Sequence, residues 1–160
     1  MGAGPYIGRV HSIQTSGGGV PKLAVPHATI GPLGLAGDAS ADDQNHGGPE
    51  RAVSLWSLEV IDSLRAEGHP IAPGTAGENV TVSGLDWTVV EPRCLVSIGD
   101  EVRLEVTRPC TPCRTIAHCF VDGRFDRISH KLHAGLSRVY AAVLRGGTIR
   151  PGDVVQVSAG

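Results

Sequence analysis

The sequence predicts a β-rich fold in which short strands form a barrel-like sheet with added helices. The chain has 22 glycines and 11 prolines in 160 residues, which indicates many tight turns between short strands. Several segments alternate apolar and polar residues as strands do, whereas one long segment has helical spacing. The length fits a single domain spanning residues 1–160.

The most regular predicted strand runs from Asp100 to Thr107. Its apolar residues Val102, Leu104 and Val106 alternate with charged ones, as expected of a strand with one buried face. Loose alternation or apolar content also predicts strands or extended chain over Tyr6 to Gln14, Pro21 to Ile30, Gly77 to Val82, Arg138 to Leu144 and Asp153 to Val157. Turns are predicted at residues 16–19 and 146–147.

The main predicted helix runs from Ser54 to Glu67. A glycine and a proline follow it closely and end the helical pattern. A second, short helix is predicted from Arg114 to Val121. The apolar residues that share one face of the main helix are Trp56, Val60, Ile61 and Leu64.

Composition and charge exclude several classes of protein. The net charge of −2 and the 4% aromatic content argue against a nucleic-acid-binding surface. No apolar run approaches the roughly 20 residues that span a bilayer, so no membrane association is expected. The first ten residues lack the pattern of a secretion signal, which predicts a cytoplasmic protein. Four cysteines in a reducing compartment are more often buried, metal-binding or catalytic than paired in disulfides.

The strongest chemical signal is the loop from Arg108 to Arg114, with the sequence Arg-Pro-Cys-Thr-Pro-Cys-Arg. Positive charge lowers the pKa of a nearby thiol, and the thiolate is both the nucleophile and the metal ligand. The two prolines restrict the backbone and so hold the sulfur in place. Cys113 also precedes the predicted short helix, whose N-terminus favours a thiolate. The loop therefore predicts a reactive or metal-binding thiol, with buried structural cysteines as the alternative.

Zinc binding is a second interpretation of the same cysteines. The possible ligands are Cys110, Cys113, His118 and Cys119. The sequence has no second Cys-x-x-Cys knuckle, and the adjacent His118 and Cys119 are difficult to bring to one tetrahedral centre. Zinc is therefore the less favoured interpretation.

A polar stretch from Asp38 to Glu50 is predicted to be a surface or site loop. In this stretch His46, Gly47 and Gly48 leave the backbone open to a ligand, and its amides together with Arg51 can hold an anion. A simple solvated loop is the alternative. So is a divalent metal site formed by Asp38, Asp42, Asp43 and His46.

A third polar feature is the start of the strand at Gly77, where Glu78 and Asn79 are predicted to face a pocket. A turn is the alternative. By residue type alone, Glu78 and Asp38 could also form a pair of carboxyl groups like that of a glycosidase.

Together and in this order, these segments resemble the MOSC domain, the module named after the C-terminal part of molybdenum cofactor sulfurases. The resemblance extends over nearly the whole chain and is greatest to the stand-alone bacterial YiiM-like type. The segments that carry it are Gly17-Gly18-Gly19-Val20-Pro21-Lys22, Gly37-Asp38 with Asp42, His46-Gly47-Gly48 with Arg51-Ala52-Val53, Pro73-Gly74, Gly77 to Leu85, Ile98-Gly99-Asp100, Pro112-Cys113 and Gly152-Asp153.

The resemblance implies a mixed β-barrel with peripheral helices, similar to the β-barrel of pyruvate kinase. It also implies that Cys113 is the catalytic residue, which either ligates molybdenum or carries sulfur as a persulfide. It does not extend to Cys110, which is left as a resolving thiol or a bystander. The cofactor implied is the molybdenum cofactor, a molybdopterin. The residues expected to bind it are His46, Gly47, Gly48, Arg51, Asn79, Thr81, Arg108 and Arg114.

Two activities follow from the resemblance. In the first, the protein reduces N-hydroxylated small molecules at a Cys113-ligated molybdenum, with electrons from a separate electron-donor protein. In the second, Cys113 takes a persulfide from a cysteine desulfurase and passes the sulfur to a metal-sulfur centre. A non-catalytic cofactor carrier or interaction module is the alternative to both.

Overall fold

A computed structural model describes residues 5–39 and 48–160 of the chain. Its one α-helix in these ranges is α1 (Leu58–Ala66), and short 3-10 helices cover Pro49–Arg51, Trp87–Val89, Arg114–Cys119 and Phe125–Ile128. The strands are β1 (Tyr6–Thr15), β2 (Leu23–Val25), β3 (Ala28–Gly31), β4 (Gly34–Leu35), β5 (Val53–Ser57), β6 (Val80–Ser83), β7 (Leu95–Ile98), β8 (Val102–Pro109), β9 (Val139–Arg145), β10 (Gly147–Ile149) and β11 (Val154–Ser158).

Seven strands close into a barrel, which confirms the predicted fold class. Their order is β11-β7-β8-β9-β5-β6-β1, and pairing of β1 with β11 closes the circle. The barrel is mixed, because β5 and β6 are parallel and the other neighbours in it are antiparallel. Strand β2 pairs antiparallel with β1 outside the closed barrel. Strands β10, β3 and β4 form a separate small sheet.

The barrel interior holds the main hydrophobic core. On β8, Val102, Leu104 and Val106 are buried and the residues between them are partly exposed, as the alternation predicts. Helix α1 adds Val60, Ile61 and Leu64 to this core. No helix in residues 5–39 and 48–160 is long and apolar enough to cross a membrane.

The predicted helix from Ser54 to Glu67 is wrong over its first turn. Residues up to Ser57 form β5, a barrel strand whose every residue is buried. A strand buried on both faces has no polar alternation, so periodicity alone does not distinguish it from a buried helix. The helix begins after Ser57, whose hydroxyl accepts a hydrogen bond from the Val60 amide at 3.1 Å and so caps it.

The shorter elements also differ from prediction. Pro21 to Ile30 divides into β2 and β3, and the short helix predicted after Arg114 is a 3-10 helix. Strand β7 was not predicted, and Gly147 begins β10 instead of lying in a turn. These strands have three or four residues, too few for a pattern to identify, and are defined by their partners across the sheet.

Candidate functional site

A cleft of about 850 Å³ collects residues from six separate segments of the chain. Four of the predicted site residues line it: Cys113, Gly48, Arg51 and Asn79. It is also lined by polar residues for which no role, or a different one, was predicted. These are Lys22, Asp38, Thr115, Arg138 and Tyr140. His46 and Gly47 lie outside the described residues, as do Asp42 and Asp43.

The two cysteines of the Cys-x-x-Cys loop have opposite environments. Cys113 is partly exposed in the cleft, where its Sγ lies 2.9 Å from the Thr115 hydroxyl. A thiolate has no proton, so in that form Cys113 accepts this hydrogen bond from Thr115. Cys110 is buried, and burial raises the pKa of its thiol to about 11. Cys110 is therefore a neutral thiol near pH 7, hydrogen-bonded to the Tyr140 hydroxyl.

The arginines at the two ends of the cysteine loop do not line the cleft. Arg108 is half-exposed and lies 3.7 Å from the carboxylate of Glu50. Arg114, at the start of the 3-10 helix, is exposed. Their role in cofactor binding stays a prediction, and the structure brings other arginines to the cleft.

Arg51 and Arg138 are the arginines that line the cleft. The Arg51 guanidinium lies 5.9 Å from the centre of the Tyr140 ring, within the range of a cation–π interaction. Arg138 donates from Nη1 to the Ala76 carbonyl at 2.6 Å. Its buried Nε has no hydrogen-bond partner in the described part of the chain. An arginine with an unsatisfied donor at a cleft is suited to an anionic ligand.

Asn79 also lines the cleft, and its contacts with Ser54 hold its side chain in one orientation. Its Oδ1 accepts from the Ser54 amide at 3.0 Å, and an amide nitrogen can only donate. The Nδ2 group of Asn79 must therefore face Asp38, to whose Oδ2 it donates at 2.9 Å. The same carboxylate oxygen lies 2.7 Å from the Lys22 ammonium. This chain of contacts joins residues from four distant parts of the sequence.

Thr81 and Glu78 lie in the core beneath this side of the cleft. Glu78 is 0% exposed, and its Oε2 accepts from the Thr81 hydroxyl and the Gly74 amide, each at 3.0 Å. Burial raises the pKa of Glu78, although these two hydrogen bonds act to lower it. In the part of the chain that the structure describes, the Glu78 carboxyl group and the Asp38 carboxylate share no hydrogen-bond partner, so no contact joins them as a pair of carboxyl groups. Glu78 and Asn79 were both predicted to face a pocket at the start of the strand. Asn79 lines the cleft and Glu78 does not.

The zinc interpretation finds no assembled ligand set. Cys110 and Cys119 are buried and His118 is exposed on the 3-10 helix. Within residues 5–39 and 48–160, no three His, Cys, Asp or Glu side chains are grouped to hold a metal ion.

A family model and two related sequences match this chain. A model of the MOSC domain matches residues 42–156. An uncharacterised protein of Bacillus subtilis, YflK, is 32% identical over 119 residues, which are 72% of this chain and 52% of that protein. A protein of Gibberella moniliformis named reductase is 30% identical over 128 residues, which are 78% of this chain and 22% of that protein. The chain thus spans about half of the first relative and about a fifth of the second.

Solved structures share the fold. The crystal structure of YuaD from Bacillus subtilis superposes with a TM-score of 0.78 at 20% identity, covering 96% of this chain and 97% of that one. YiiM from Geobacillus stearothermophilus superposes with a TM-score of 0.71 at 22% identity, covering 94% and 74%.

MOSC domains are associated with the molybdenum cofactor, and the residues of the cleft fit that group. Cys113 offers a soft sulfur ligand, the type that molybdenum in a dithiolene accepts. Arg138 offers a buried, unsatisfied N–H for a phosphate oxygen. The cleft volume is in the range of pockets that hold ligands of drug size.

Proposed function

Because the chain belongs to the MOSC domain family, we propose that it binds the molybdenum cofactor in the cleft and reduces N-hydroxylated small molecules there. One observation carries the proposal. Of the four cysteines, Cys113 alone is not buried, and it lines a cleft that also contains Arg51 and Arg138. A partly exposed thiol in a cleft that also contains cations suits the joint binding of a soft metal and an anion.

In this proposal each cleft residue has a separate task. Cys113 binds the metal through its thiolate, and the Thr115 hydroxyl at 2.9 Å donates a hydrogen bond to that sulfur. Arg51 and Arg138 bind the pterin phosphate. Cys110 keeps its proton, because burial raises the pKa of its thiol to about 11, and so does not compete for the metal. The bound cofactor supplies two-electron redox chemistry at the molybdenum.

The reaction is the loss of oxygen from nitrogen. The N–OH group takes up two electrons and two protons, the N–O bond breaks, an N–H bond forms, and water leaves. A separate electron-donor protein supplies the electrons in this proposal, and the small molecule enters the cleft. The relative named reductase supports this assignment, and about four fifths of its length lies outside the part that matches this chain. The reducing cytoplasm is the compartment proposed, since it preserves a free thiol.

Sulfur transfer is the second candidate, and the exposure of Cys113 favours it as well. A persulfide on Cys113, received from a cysteine desulfurase, would lie in the same cleft. A thiolate attacks the sulfur of the desulfurase persulfide, so the terminal sulfur moves to Cys113 and the desulfurase recovers its thiolate.

Molybdenum analysis tests the first candidate. The protein is produced in a host supplied with molybdate, and its metal and pterin are measured per chain by mass spectrometry. We expect nearly one molybdenum and one pterin in the wild type, and loss of most molybdenum in Cys113→Ser. Cys94→Ser is the matched control, because Cys94 is buried elsewhere and bonds to the Val89 carbonyl.

Two results would contradict the reductase proposal. One is a wild-type protein without molybdenum or pterin after such expression. The other is equal molybdenum content in Cys113→Ser and the wild type. A persulfide adduct that forms on Cys113 with a desulfurase and free cysteine, in protein without pterin, would favour sulfur transfer instead.

A further inference from the structure

We propose that Lys22 and Asp38 form the subsite that binds the N–OH group of the substrate, and that Lys22 donates the proton on which the oxygen leaves as water. This inference rests on the proposed reduction and assigns its substrate a place in the cleft. It concerns two residues that the predicted site did not include.

The Lys22–Asp38 ion pair lies within the cleft instead of on the outer surface. Both residues line it, and each side chain is only 13% exposed. The Lys22 Nζ lies 2.7 Å from Asp38 Oδ2. In residues 5–39 and 48–160, no second acceptor lies within hydrogen-bond distance of this ammonium. An ammonium has three N–H groups, so two are left for a ligand.

Asp38 is held in place from three directions. Its Oδ1 accepts from the Ser16 amide at 3.0 Å, and its Oδ2 accepts from both Asn79 and Lys22. Asn79 is itself fixed by the Ser54 amide, as described above. The carboxylate is therefore preorganised, and it offsets the charge of the lysine in a largely enclosed position.

The backbone of Lys22 is also fixed against the barrel. Its amide donates to the Gly74 carbonyl at 2.8 Å. Gly74 has a φ of +87°, and a Cβ there would lie only 2.2 Å from the Lys22 carbonyl oxygen. The chain at Lys22 thus packs directly on the backbone of Gly74, which fixes the position from which the Lys22 side chain extends.

The pair is better suited to a neutral polar group than to a phosphate. A carboxylate at 2.7 Å offsets the lysine charge and would repel a phosphate, whereas no carboxylate is paired with Arg138 in the described part of the chain. Donor and acceptor side by side match an N–OH group, which also both donates and accepts. We therefore assign the anionic end of the cofactor to the arginines and the substrate to Lys22 and Asp38.

The proton balance requires such a donor. Breaking the N–O bond with two electrons from the donor protein leaves a hydroxide unless the oxygen is protonated as it departs. The ammonium of Lys22 gives this proton, and Lys22 regains one from solvent. The second proton goes from solvent to the nitrogen. Asp38 accepts the hydrogen bond of the N–OH group and orients it.

Holoprotein variants test this assignment with benzamidoxime, a neutral N-hydroxylated probe. Lys22→Met is expected to lower kcat with a viologen dye as electron source by about 10²–10⁴-fold, the usual contribution of a general acid. Calorimetric titration of the oxidised holoprotein, without turnover, should show about 10–100-fold weaker binding in Lys22→Met and in Asp38→Asn.

Lys22→Arg separates binding from proton donation. Arginine keeps the charge and the N–H donors but does not release a proton near neutral pH. We expect it to bind benzamidoxime within a few-fold of the wild type while kcat stays low. The matched controls are the exposed Lys131→Met and Asp62→Asn, which should leave binding, kcat and molybdenum content unchanged.

The outcomes distinguish this inference from the function on which it rests. Normal molybdenum content with unchanged kcat and binding in Lys22→Met would overturn the subsite alone. Loss of molybdenum in Lys22→Met, parallel to Cys113→Ser, would make Lys22 a cofactor ligand and also overturn it. A wild-type protein that binds molybdenum but does not reduce benzamidoxime, or that binds no molybdenum, would overturn both.

Discussion

The cleft has two walls that are held in different ways. On the barrel wall, formed by Lys22, Asp38, Ser54 and Asn79, a continuous set of hydrogen bonds joins every side chain to another member. On the cysteine wall, formed by Cys110, Cys113, Thr115 and Ile116, one side-chain contact connects Cys113 to Thr115. The barrel wall is suited to hold a ligand in one orientation, whereas the cysteine wall leaves a sulfur accessible for chemistry.

The largest expected effect is a difference in thiol reactivity within the cysteine wall. At pH 8, a thiol with a pKa of about 11 is ionised in roughly one molecule in a thousand, and Cys110 is also buried. Because Cys110 is both buried and almost wholly un-ionised, we expect iodoacetamide to alkylate Cys113 at least about 100-fold faster than Cys110 in the folded protein. Peptide mapping by mass spectrometry after timed labelling measures both rates.

Urea-unfolded protein is the control, in which the two cysteines should react at similar rates. Comparable rates in the folded protein would show that Cys110 is reachable and would remove the distinction between the two thiols.

A second prediction compares one residue from each wall. Asn79→Ala leaves the Ser54 amide and the Asp38 carboxylate without their shared partner, so it should lower the free energy of unfolding by about 2–4 kcal/mol. Thr115→Val removes a hydroxyl from an exposed position and should change it by less than about 0.5 kcal/mol. Urea denaturation followed by tryptophan fluorescence gives both values. Equal losses would mean that the two walls are equally constrained.

The smallest expected effect is a change in the pH dependence of the free energy of unfolding, and it comes from Glu78 in the core. Burial raises the pKa of Glu78, so the folded state favours the protonated carboxyl group. This contribution to stability is full below the usual pKa of a glutamate and is lost as pH rises through the raised value. Glu78→Gln keeps a neutral acceptor for Thr81 and Gly74 and should flatten the decline in stability as pH rises above the usual pKa of a glutamate.

The exposed Glu91→Gln is the matched control and should leave that pH slope unchanged. A slope as steep in Glu78→Gln as in the wild type would assign the pH dependence to another group.

Local patterns predicted the parts of the fold that one neighbouring stretch of chain can specify. The alternation around Leu104 identified β8, because its two faces have different surroundings. The same reasoning failed for Trp56, since β5 is buried on both faces and its polarity does not alternate. Very short strands such as β7 have too few residues for any pattern.

The candidate site divides in the same way. Sequence reasoning selected the cysteine loop from its prolines and arginines, and the resemblance selected Cys113 within it. Arg51 and Asn79 were selected from the polar segments in which they lie, and the resemblance includes both. Lys22 is one of only two lysines in the chain, and it lies in a segment that carries the resemblance. The sequence therefore contained a signal for Lys22, but no chemical role was predicted for it. Nothing local to Arg138 indicates that it lines the cleft, or that its buried Nε has no hydrogen-bond partner among the described residues.

Residues close together in the chain were enough to predict the β-rich class, the position of the most regular strand and the cysteine loop as a candidate site. Contacts between distant segments bury Cys110 while Cys113 stays partly exposed, and they bring Asn79 and Lys22 together at Asp38. The physical reason is closure of the barrel. Pairing β6 with β1 and β5 brings together side chains that no local pattern relates, and it sets which charges are enclosed.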